Sequence, residues 1–402
     1  MIPVQPVENQ LSVLKNQLSD ELSRILNYWI KNTPDAAFGG FFGRIDNESR
    51  VISQSPKGSV LNARILWSFS AAYNLTKKTE YLEYADRAYQ YIIHRFIDNK
   101  YGGVYWTVDH TGKPLDTKKQ VYANAFTIYG LSEYYSASGN KDAKELAISL
   151  YRLLVEHSYD TEKTGYLEAF TRDWQPISDL RLSAKDANEK KTANTHLHVL
   201  EAYTNLYRIW PDEGLKLQII TLVHNFFDHF IDRDTHHLAL FFDEDWNSKS
   251  ALVSYGHDIE ATWLLQEAAE VISNEVLVEQ IKNINLKIAD ATVSGIDSDG
   301  GLWYEYEPAD DHLTKEKHWW VQAEAMVGFY NAWQISGADK YLALAEQNWA
   351  FVQNKILDKK NGEWFWGIDE KGELMPGEDK AGLWKCPYHN SRACIEIIKR
   401  TK

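Results

Sequence analysis

The segment YGGVYWTVD at residues 101–109 combines a glycine pair, a run rich in aromatic residues and a final acid. The glycines allow a tight turn, and the aromatic and β-branched residues that follow favour an extended strip. Five further segments repeat the pattern: FGGFFGRID at 38–46, GYLEAFTRD at 165–173, HLALFFDED at 237–245, GGLWYEYEP at 300–308 and NGEWFWGID at 361–369. A pattern that recurs six times indicates a repeat architecture.

The six segments, called the aromatic strips, are almost evenly spaced. Successive copies lie 62 or 63 residues apart, except for a step of 72 residues between the third and the fourth. We place the extra residues in the polar stretch Ser178–Thr192.

Segments with apolar residues at helical spacing lie between the strips, as in LSDELSRILNYWIKN at 18–32. Most units follow the order helix, short loop, helix, strip. Two helices in each of about six units predict about twelve helices, and paired helices repeated six times can close into a ring. We therefore predict an all-α fold, an (α/α)6 barrel with short β-hairpins at one mouth. An open solenoid is the alternative. No linker rich in Pro, Gly or Ser interrupts the chain, so residues 1–402 are predicted to form a single domain.

Charge and composition exclude several classes of partner. The chain of 402 residues has a formal net charge of −14, which disfavours nucleic acid and anionic membrane surfaces. It contains no apolar run of transmembrane length and no recognisable signal peptide, and it has only two cysteines. These features predict a cytoplasmic protein.

Aromatic residues make up 13% of the chain, with 15 tryptophans. Such residues fill cores, and they also line carbohydrate sites, because the C–H face of a sugar packs against an aromatic ring.

Helical spacing groups several polar residues. Asn194, His198 and Glu201 follow one another at steps of four and three, so they share a helix face. His257 and Glu260 are three residues apart, and we expect Glu260 to hold one ring nitrogen of His257.

Three more segments add candidates. Arg64 lies in the otherwise apolar VLNARILW, HWWVQAEA brings Trp320 close to Glu324, and WKCPYHNSRA presents His389 beside Trp384. Each group alone is often structural. In a closed barrel, however, all of them begin or line inner helices and converge on one cavity, where unused charges would be costly.

Other chemistries match the sequence less well. HExxH, CxxC, phosphate-loop and GxSxG motifs are absent, so a metal or nucleotide site is not indicated. Glycoside hydrolysis needs two carboxylates, which Asp186, Glu201, Glu260 and Glu324 could supply. A hydrolase and a sugar-binding protein without catalysis therefore stay open as alternatives.

The segments NTHLHVLEAY at 194–203, SYGHDIEATWLL at 254–265, HWWVQAEA at 318–325 and WKCPYHNSRA at 384–393 resemble the N-acylglucosamine 2-epimerase superfamily. They are most similar to its cellobiose 2-epimerase branch, over essentially the whole chain. The resemblance implies an (α/α)6 barrel. It also implies reversible epimerisation at C2 of the reducing-end glucose of β-1,4-linked disaccharides such as cellobiose, lactose or mannobiose, through ring opening and an enediolate. An acylglucosamine 2-epimerase or a mannose isomerase of the same superfamily is the alternative.

The resemblance also implies roles for residues. His257 and His389 match the acid/base pair, whereas His198 and Arg64 match residues near the reacting oxygens. The supporting and sugar-binding positions are Asn194, Glu260, Trp320, Trp384, Asp186 and, lining the cavity, Tyr122. No metal and no cofactor are implied. The expected partner is a small disaccharide, and we expect a monomer or weak homodimer.

Overall fold

Twelve α-helices form most of residues 7–401, the part of the chain that this computed structural model describes. They are α1 (Val7–Asn32), α2 (Ser59–Thr76), α3 (Thr79–Tyr91), α4 (Val121–Ser138), α5 (Lys141–His157), α6 (Ala193–Ile209), α7 (Glu213–Asn225), α8 (Tyr255–Val271), α9 (Glu275–Thr292), α10 (Trp319–Ser336), α11 (Asp339–Phe351) and α12 (Tyr388–Arg400). Residues 1–6, part of the stretch in which no signal peptide is predicted, and Lys402 lie outside the described residues.

The even-numbered helices form a closed inner ring. Each packs against the next even-numbered helix, and α12 returns to α2. The outer helices pair with them: α3 with α2, α5 with α4, α7 with α6, α9 with α8, α11 with α10, and α1 with α12. The predicted (α/α)6 barrel is confirmed, and the open solenoid is wrong. No helix within residues 7–401 is long and apolar enough to cross a membrane.

Burial explains which helices lie inside. The inner helix α4 is buried on all sides over most of its length, whereas the outer helix α5 buries one face and exposes the other. Three outer helices continue into one π-helical turn, at Ile92–Phe96, Phe226–Phe230 and Val352–Ile356, and α9 continues into a 3₁₀ turn at Val293–Gly295.

Short strands lie at the mouth where the inner helices begin. They are β1 (Ile45–Asp46), β2 (Lys57–Gly58), β3 (Thr107–Val108), β4 (Pro114–Asp116), β5 (Lys119–Gln120), β6 (Ala169–Phe170), β7 (Lys191–Thr192), β8 (Phe241–Phe242), β9 (Val253–Ser254), β10 (Glu305–Glu307), β11 (His312–Thr314), β12 (Lys317–His318), β13 (Gly367–Ile368) and β14 (Asp379–Ala381).

All the pairings between these strands are antiparallel, and most are not local hairpins. Among these strands, only the pairs β3–β4 and β10–β11 have no helix between their two members. The others connect successive units, as β2 pairs with β3 across α2 and α3, and β1 pairs with β14 to close the ring. Each strip is thereby tied to the start of an inner helix, and we call a strip with the inner helix that follows it a unit.

Each of five units contains a buried lysine that forms an ion pair with an aspartate, and we call this pair a clamp. The lysine lies in the strand just before the inner helix, and the aspartate lies in the turn before the strip. The pairs are Lys57–Asp35, Lys119–Asp98, Lys191–Asp160, Lys317–Asp297 and Lys380–Asp358. In the three pairs whose aspartate is also buried, at Asp35, Asp98 and Asp358, removing one member costs about 3–5 kcal/mol, so these clamps help to fix the mouth. The fourth unit has Val253 at the lysine position.

Candidate active site

The polar residues of the barrel axis occur at equivalent positions of the inner helices. We count from the first residue of α2, α4, α6, α8 and α10, and from Pro387 in the sixth unit. The third position is held by Leu61, Ala123, Thr195, His257, Val321 and His389. The sixth position is held by Arg64, Phe126, His198, Glu260, Glu324 and Arg392. Because all six helices surround one axis, residues at one position form a layer across the barrel.

A cavity of about 570 Å³ opens at the mouth where the inner helices begin. This size suits a small organic ligand. All ten residues proposed for the site from the sequence line it: Arg64, Tyr122, Asp186, Asn194, His198, His257, Glu260, Trp320, Trp384 and His389. A second cavity of about 260 Å³ lies between α1 and α11, and its lining holds no histidine, cysteine or arginine.

His389 is fixed by a carboxylate from a neighbouring helix. Its Nδ1 lies 2.7 Å from Oε1 of Glu324 on α10. A carboxylate accepts a hydrogen bond from the protonated Nδ1, which leaves Nε2 as the basic nitrogen of the neutral ring. Burial, together with the positive charges of Arg64 and Arg392, holds the pKa of His389 well below its usual value. His389 is therefore neutral at pH 7 and able to accept a proton.

His257 has a different partner. Its Nδ1 lies 2.8 Å from the Oγ of Ser254, which precedes α8. The expectation that Glu260 holds His257 is wrong, because Glu260 points across the barrel to Arg392 at 2.5 Å. A hydroxyl both donates and accepts, so either tautomer of His257 suits Ser254. Burial lowers the pKa of His257 to about 3, which keeps its ring neutral.

Arg392 forms hydrogen bonds with three buried glutamates, deeper in the barrel than the third-position histidines. Its guanidinium donates to Glu201, Glu260 and Glu324. Tyr388 adds hydrogen bonds to Glu201 at 2.5 and 2.6 Å. This arrangement holds several carboxylates on one cation and satisfies charges that burial would otherwise make costly.

The three glutamates respond differently to this environment. Burial would raise the pKa of Glu201, but Arg392 and His198 lower it to about 2. Burial and the neighbouring Glu324 raise the pKa of Glu260 well above its usual value, against the opposing effect of Arg392. Burial raises the pKa of Glu324 as well, so Glu201 is the member of the three that stays ionised most readily.

Arg64 and His198 hold the sixth position in the first and third units and complete the same layer. Arg64 Nη2 donates to the hydroxyl of Tyr122 at 2.6 Å, and its guanidinium carbon lies 4.1 Å from the ring centroid of Phe126. His198 Nδ1 lies 2.9 Å from Glu201, so the predicted grouping of these two residues on one helix face is correct. The pKa of His198 is lowered by burial, although Glu201 opposes this effect.

Two tryptophans line different parts of the cavity. The ring of Trp320 lies 4.9 Å from that of His257 and 5.8 Å from that of His389. Trp384 lies 6.0 Å from Tyr122 and 5.8 Å from Trp106. Both tryptophans are half-buried. An aromatic surface therefore covers the histidines, and a second one extends away from them.

The long connection between the third strip and α6 forms one wall. Residues 171–190 join β6 to β7, about twice the length of the corresponding 243–252 link, so the extra residues of the 72-residue step lie there. Within this wall Asp186 accepts a hydrogen bond from the backbone N–H of Ser183 at 2.7 Å. Asp186 is half-buried and faces the cavity, as does Asn194 at the start of α6.

Glu260, Glu324 and His389 bring possible metal-binding atoms within 4.8 Å of one another. Arg392 donates to both glutamates, so a guanidinium already supplies the positive charge at this point. The expectation that no metal and no cofactor take part stays a prediction.

Residues 40–393 match the family model for N-acylglucosamine 2-epimerase (GlcNAc 2-epimerase). The chain belongs to this family. Among its members, a cellobiose 2-epimerase of Bacteroides fragilis is 49% identical over 96% of this chain and 99% of the relative. One from Dictyoglomus turgidum is 40% identical over 97% and 99%, respectively. The solved structure of cellobiose 2-epimerase from Bacillus thermoamylovorans B4167 is 40% identical, with a TM-score of 0.92 over 97% of this chain and 100% of that one.

Three residues of this family member's site were not assigned a role from sequence: Ser254, Glu324 as the partner of His389, and Arg392. Spacing along one helix could not reveal Glu324 and Arg392, because their contacts join different helices, whereas Ser254 lies only three residues before His257. The repeat contains a usable signal. The sixth position carries Arg64, His198 and Glu260 in three other units, so Glu324 and Arg392 at that position belong to the same layer.

Proposed function

We propose that this protein epimerises the reducing-end sugar of β-1,4-linked disaccharides at C2, interconverting glucose and mannose. The observation that carries the proposal is a pair of neutral histidines at the third position of two inner helices, the half-buried His257 and the buried His389, both close to the ring of Trp320. Membership of the family and the similarity to cellobiose 2-epimerases over nearly the whole chain support it.

The reaction requires two proton-transfer groups. The C2 proton is acidic only in the open-chain aldose, so the ring must first open by proton transfer to its oxygen. One histidine then removes the C2 proton and forms an enediolate. Inversion follows when the other histidine, protonated from solvent, delivers that proton to the opposite face, and the first histidine then releases the C2 proton to solvent. Since both rings are neutral at pH 7, each accepts a proton without first losing one.

Arg64 suits the stabilisation of the enediolate. It is buried and always charged, and Tyr122 and Phe126 hold its guanidinium in place. A fixed cation favours an oxyanion over the neutral aldehyde, which lowers the barrier for proton removal. His198, held by Glu201, offers its Nε2 to a neighbouring oxygen of the same sugar. Asn194 and Glu260 are the supporting residues in this proposal.

The geometry favours epimerisation over glycoside hydrolysis. A hydrolase needs two carboxyl groups about 5–9.5 Å apart on either side of the scissile bond. Glu201, Glu260 and Glu324 all bind the single guanidinium of Arg392, so they lie together on one side of the cavity. Three groups on one cation do not face each other across a substrate, so no two of these glutamates form a hydrolytic pair.

We also propose an oligomeric state, a location and a partner. The protein acts as a monomer or weak homodimer in the cytoplasm, and its partner is a small disaccharide, not nucleic acid or a membrane. The net charge of −14 supports this choice. Light scattering of the purified chain tests the oligomeric part.

Product analysis tests the activity. The protein is incubated separately with cellobiose, N-acetylglucosamine and mannose, and the sugars are separated by chromatography. We expect glucosyl-mannose from cellobiose at the highest rate. Turnover confined to N-acetylglucosamine, or fructose formed from mannose as the main reaction, would identify a different activity within the family. Free glucose from cellobiose would identify a hydrolase.

A further inference from the structure

One strip position differs in just the two units that carry the proposed acid/base histidines. The position directly precedes the buried strip residue that forms an antiparallel backbone bridge with the segment before the strip. Four units have glycine there, at Gly40, Gly103, Gly165 and Gly301. The fourth unit has His237, and the sixth has Glu363. These are the units of His257 and His389.

In the fourth unit this residue binds the neighbour of His257. His237 Nδ1 lies 2.7 Å from Oδ2 of Asp258, and the other oxygen of Asp258 accepts from the backbone N–H of Leu238 at 2.7 Å. Asp258 is fully buried and directly follows His257 in the first turn of α8. This unit also has Val253 in place of the clamp lysine. The histidine–aspartate pair therefore connects strip and helix where the lysine does so elsewhere.

The sixth unit reaches the same result with other residues. Glu363 Oε1 accepts from the side chain of Asn390 at 2.5 Å and from Lys385 at 2.8 Å. Its second oxygen accepts from Trp29 of α1 at 2.5 Å. Asn390 directly follows His389 in the first turn of α12. A buried carboxylate thus connects three separate segments to the turn that carries His389.

The backbone shows that Glu363 is kept at a conformational cost. Its φ is +65°, and the glycines at the same position in the first three units have φ values of +61°, +69° and +81°. Glycine adopts this region freely, whereas residues with a side chain adopt it only at an energetic cost. The hydrogen bonds of the carboxylate offset this cost, which a glycine would avoid.

Units without an acid/base histidine use no such charged residue. In the second and fifth units the fourth-position amides Asn124 and Gln322 accept directly from the strip backbone, at 3.1 and 2.8 Å. In the third unit His196 does the same at 2.8 Å. An uncharged contact therefore suffices to attach an inner helix to its strip.

We propose that His237 and Glu363 are positioning residues, which fix the first turns of α8 and α12 and so hold His257 and His389 at the reacting carbon. The inference rests on the proposed function, since it assigns these two histidines to proton transfer. Neither first turn has a side-chain cap: the Ser254 hydroxyl is bound to His257, and Pro387 precedes α12. Small displacements of proton-transfer groups cost large factors in rate, whereas sugar binding depends mainly on other residues.

The first test gives each position the glycine that the other units have. We expect His237→Gly and Glu363→Gly to lower kcat for cellobiose by about 10- to 100-fold with KM changed little. The conservative variants His237→Asn and Glu363→Gln keep a hydrogen-bonding group and should recover most of kcat. If a residue only stabilised the fold, its glycine variant would not lose kcat selectively, and its conservative variant would have no kcat to recover.

Glu363→Gly leaves the buried Lys385 without its partner. The second test uses variants that keep this contact. Asn390→Ala removes the contact between Glu363 and the first turn of α12, together with the hydrogen bond that Asn390 Oδ1 accepts from the backbone N–H of Ser391, and Asn124→Ala removes the equivalent amide in the second unit. We expect both variants to lower the unfolding midpoint and only Asn390→Ala to lower kcat. Equal kcat in these two variants, or full kcat in the folded glycine variants, overturns the inference. A wild-type protein that fails to epimerise cellobiose overturns the proposed function instead.

Discussion

The Nδ1 atom of His389 lies 2.7 Å from Oε1 of Glu324, and the same oxygen accepts from Arg392 at 2.6 Å. This contact orients the basic nitrogen of His389 away from the helix and into the cavity. His257, at the equivalent position two units earlier, binds the hydroxyl of Ser254 instead. The two histidines are thus matched in position and in neutral charge, and they differ in what holds their second nitrogen.

Substitution of either histidine should abolish most turnover. His257→Asn and His389→Asn each remove one proton-transfer group, and such groups contribute about 10²–10⁴-fold to rate. We expect kcat for cellobiose to fall by that range in each variant while the circular dichroism spectrum stays unchanged. His229→Asn, on the half-exposed side of the π turn after α7, is the matched control and should keep wild-type kcat. A near-normal rate in either active-site variant would contradict the assignment.

The two tryptophans should separate substrate selection from catalysis. Trp384 lies away from the histidines and is the candidate surface for the second sugar, so Trp384→Ala should impair cellobiose more than mannose. Aromatic stacking contributes on the order of 1 kcal/mol, or about fivefold in kcat/KM. Trp320 covers both histidines, and Trp320→Ala should impair both substrates. Comparing kcat/KM on cellobiose and mannose checks this.

Loss of core packing is the competing explanation for both tryptophan variants. Unfolding midpoints measured alongside the kinetics distinguish it. Equal losses on cellobiose and mannose for Trp384→Ala, together with a large fall in the midpoint, would place the second-sugar site elsewhere.

Glu168 should make the folded state progressively less stable as the pH rises from about 4.5 to about 8. Burial raises its pKa to about 8, although Thr195 and Thr192 donate hydrogen bonds to it. In the unfolded chain the carboxyl ionises near pH 4.5. Between these values the unfolded state loses a proton that the folded state keeps, so stability falls by about 1.4 kcal/mol per pH unit from this group.

Glu168→Gln removes that titration. We expect the difference between the unfolding free energies at pH 5 and pH 8 to shrink in this variant, measured by denaturant titration at both pH values. Glu162→Gln, at an exposed position near the third strip, should leave the difference unchanged. An undiminished difference in Glu168→Gln would show that its carboxyl is ionised in the folded state.

The sequence predicts the architecture well because the repeat is visible in it. The strip spacing gives six units, and Gly139 and Gly337 directly follow α4 and α10 with φ values of +71° and +67°, a conformation that suits glycine at a helix end. Most candidate residues were found because polar groups at the start of buried helices stand out. All of them line one cavity.

Partners across the barrel could not be predicted from spacing. Glu260 follows His257 by three residues, and a single helix would allow them to pair. Closure of the ring instead brings Arg392 from α12 within 2.5 Å of Glu260, and a buried guanidinium competes more strongly for a carboxylate than a neutral imidazole does. The strand pairing between units was missed for the same reason, because it depends on how the units assemble.

Isotope incorporation tests the central claim most directly. Cellobiose is incubated with the protein in heavy water, and both disaccharides are isolated and examined by proton NMR. We predict glucosyl-mannose with deuterium at C2 of the reducing sugar, and gradual loss of the C2 proton signal from the recovered cellobiose, because each histidine exchanges its proton with solvent. Glucosyl-mannose that retains the C2 proton of every molecule, or free glucose without any epimer, would contradict epimerisation by two exchanging histidines.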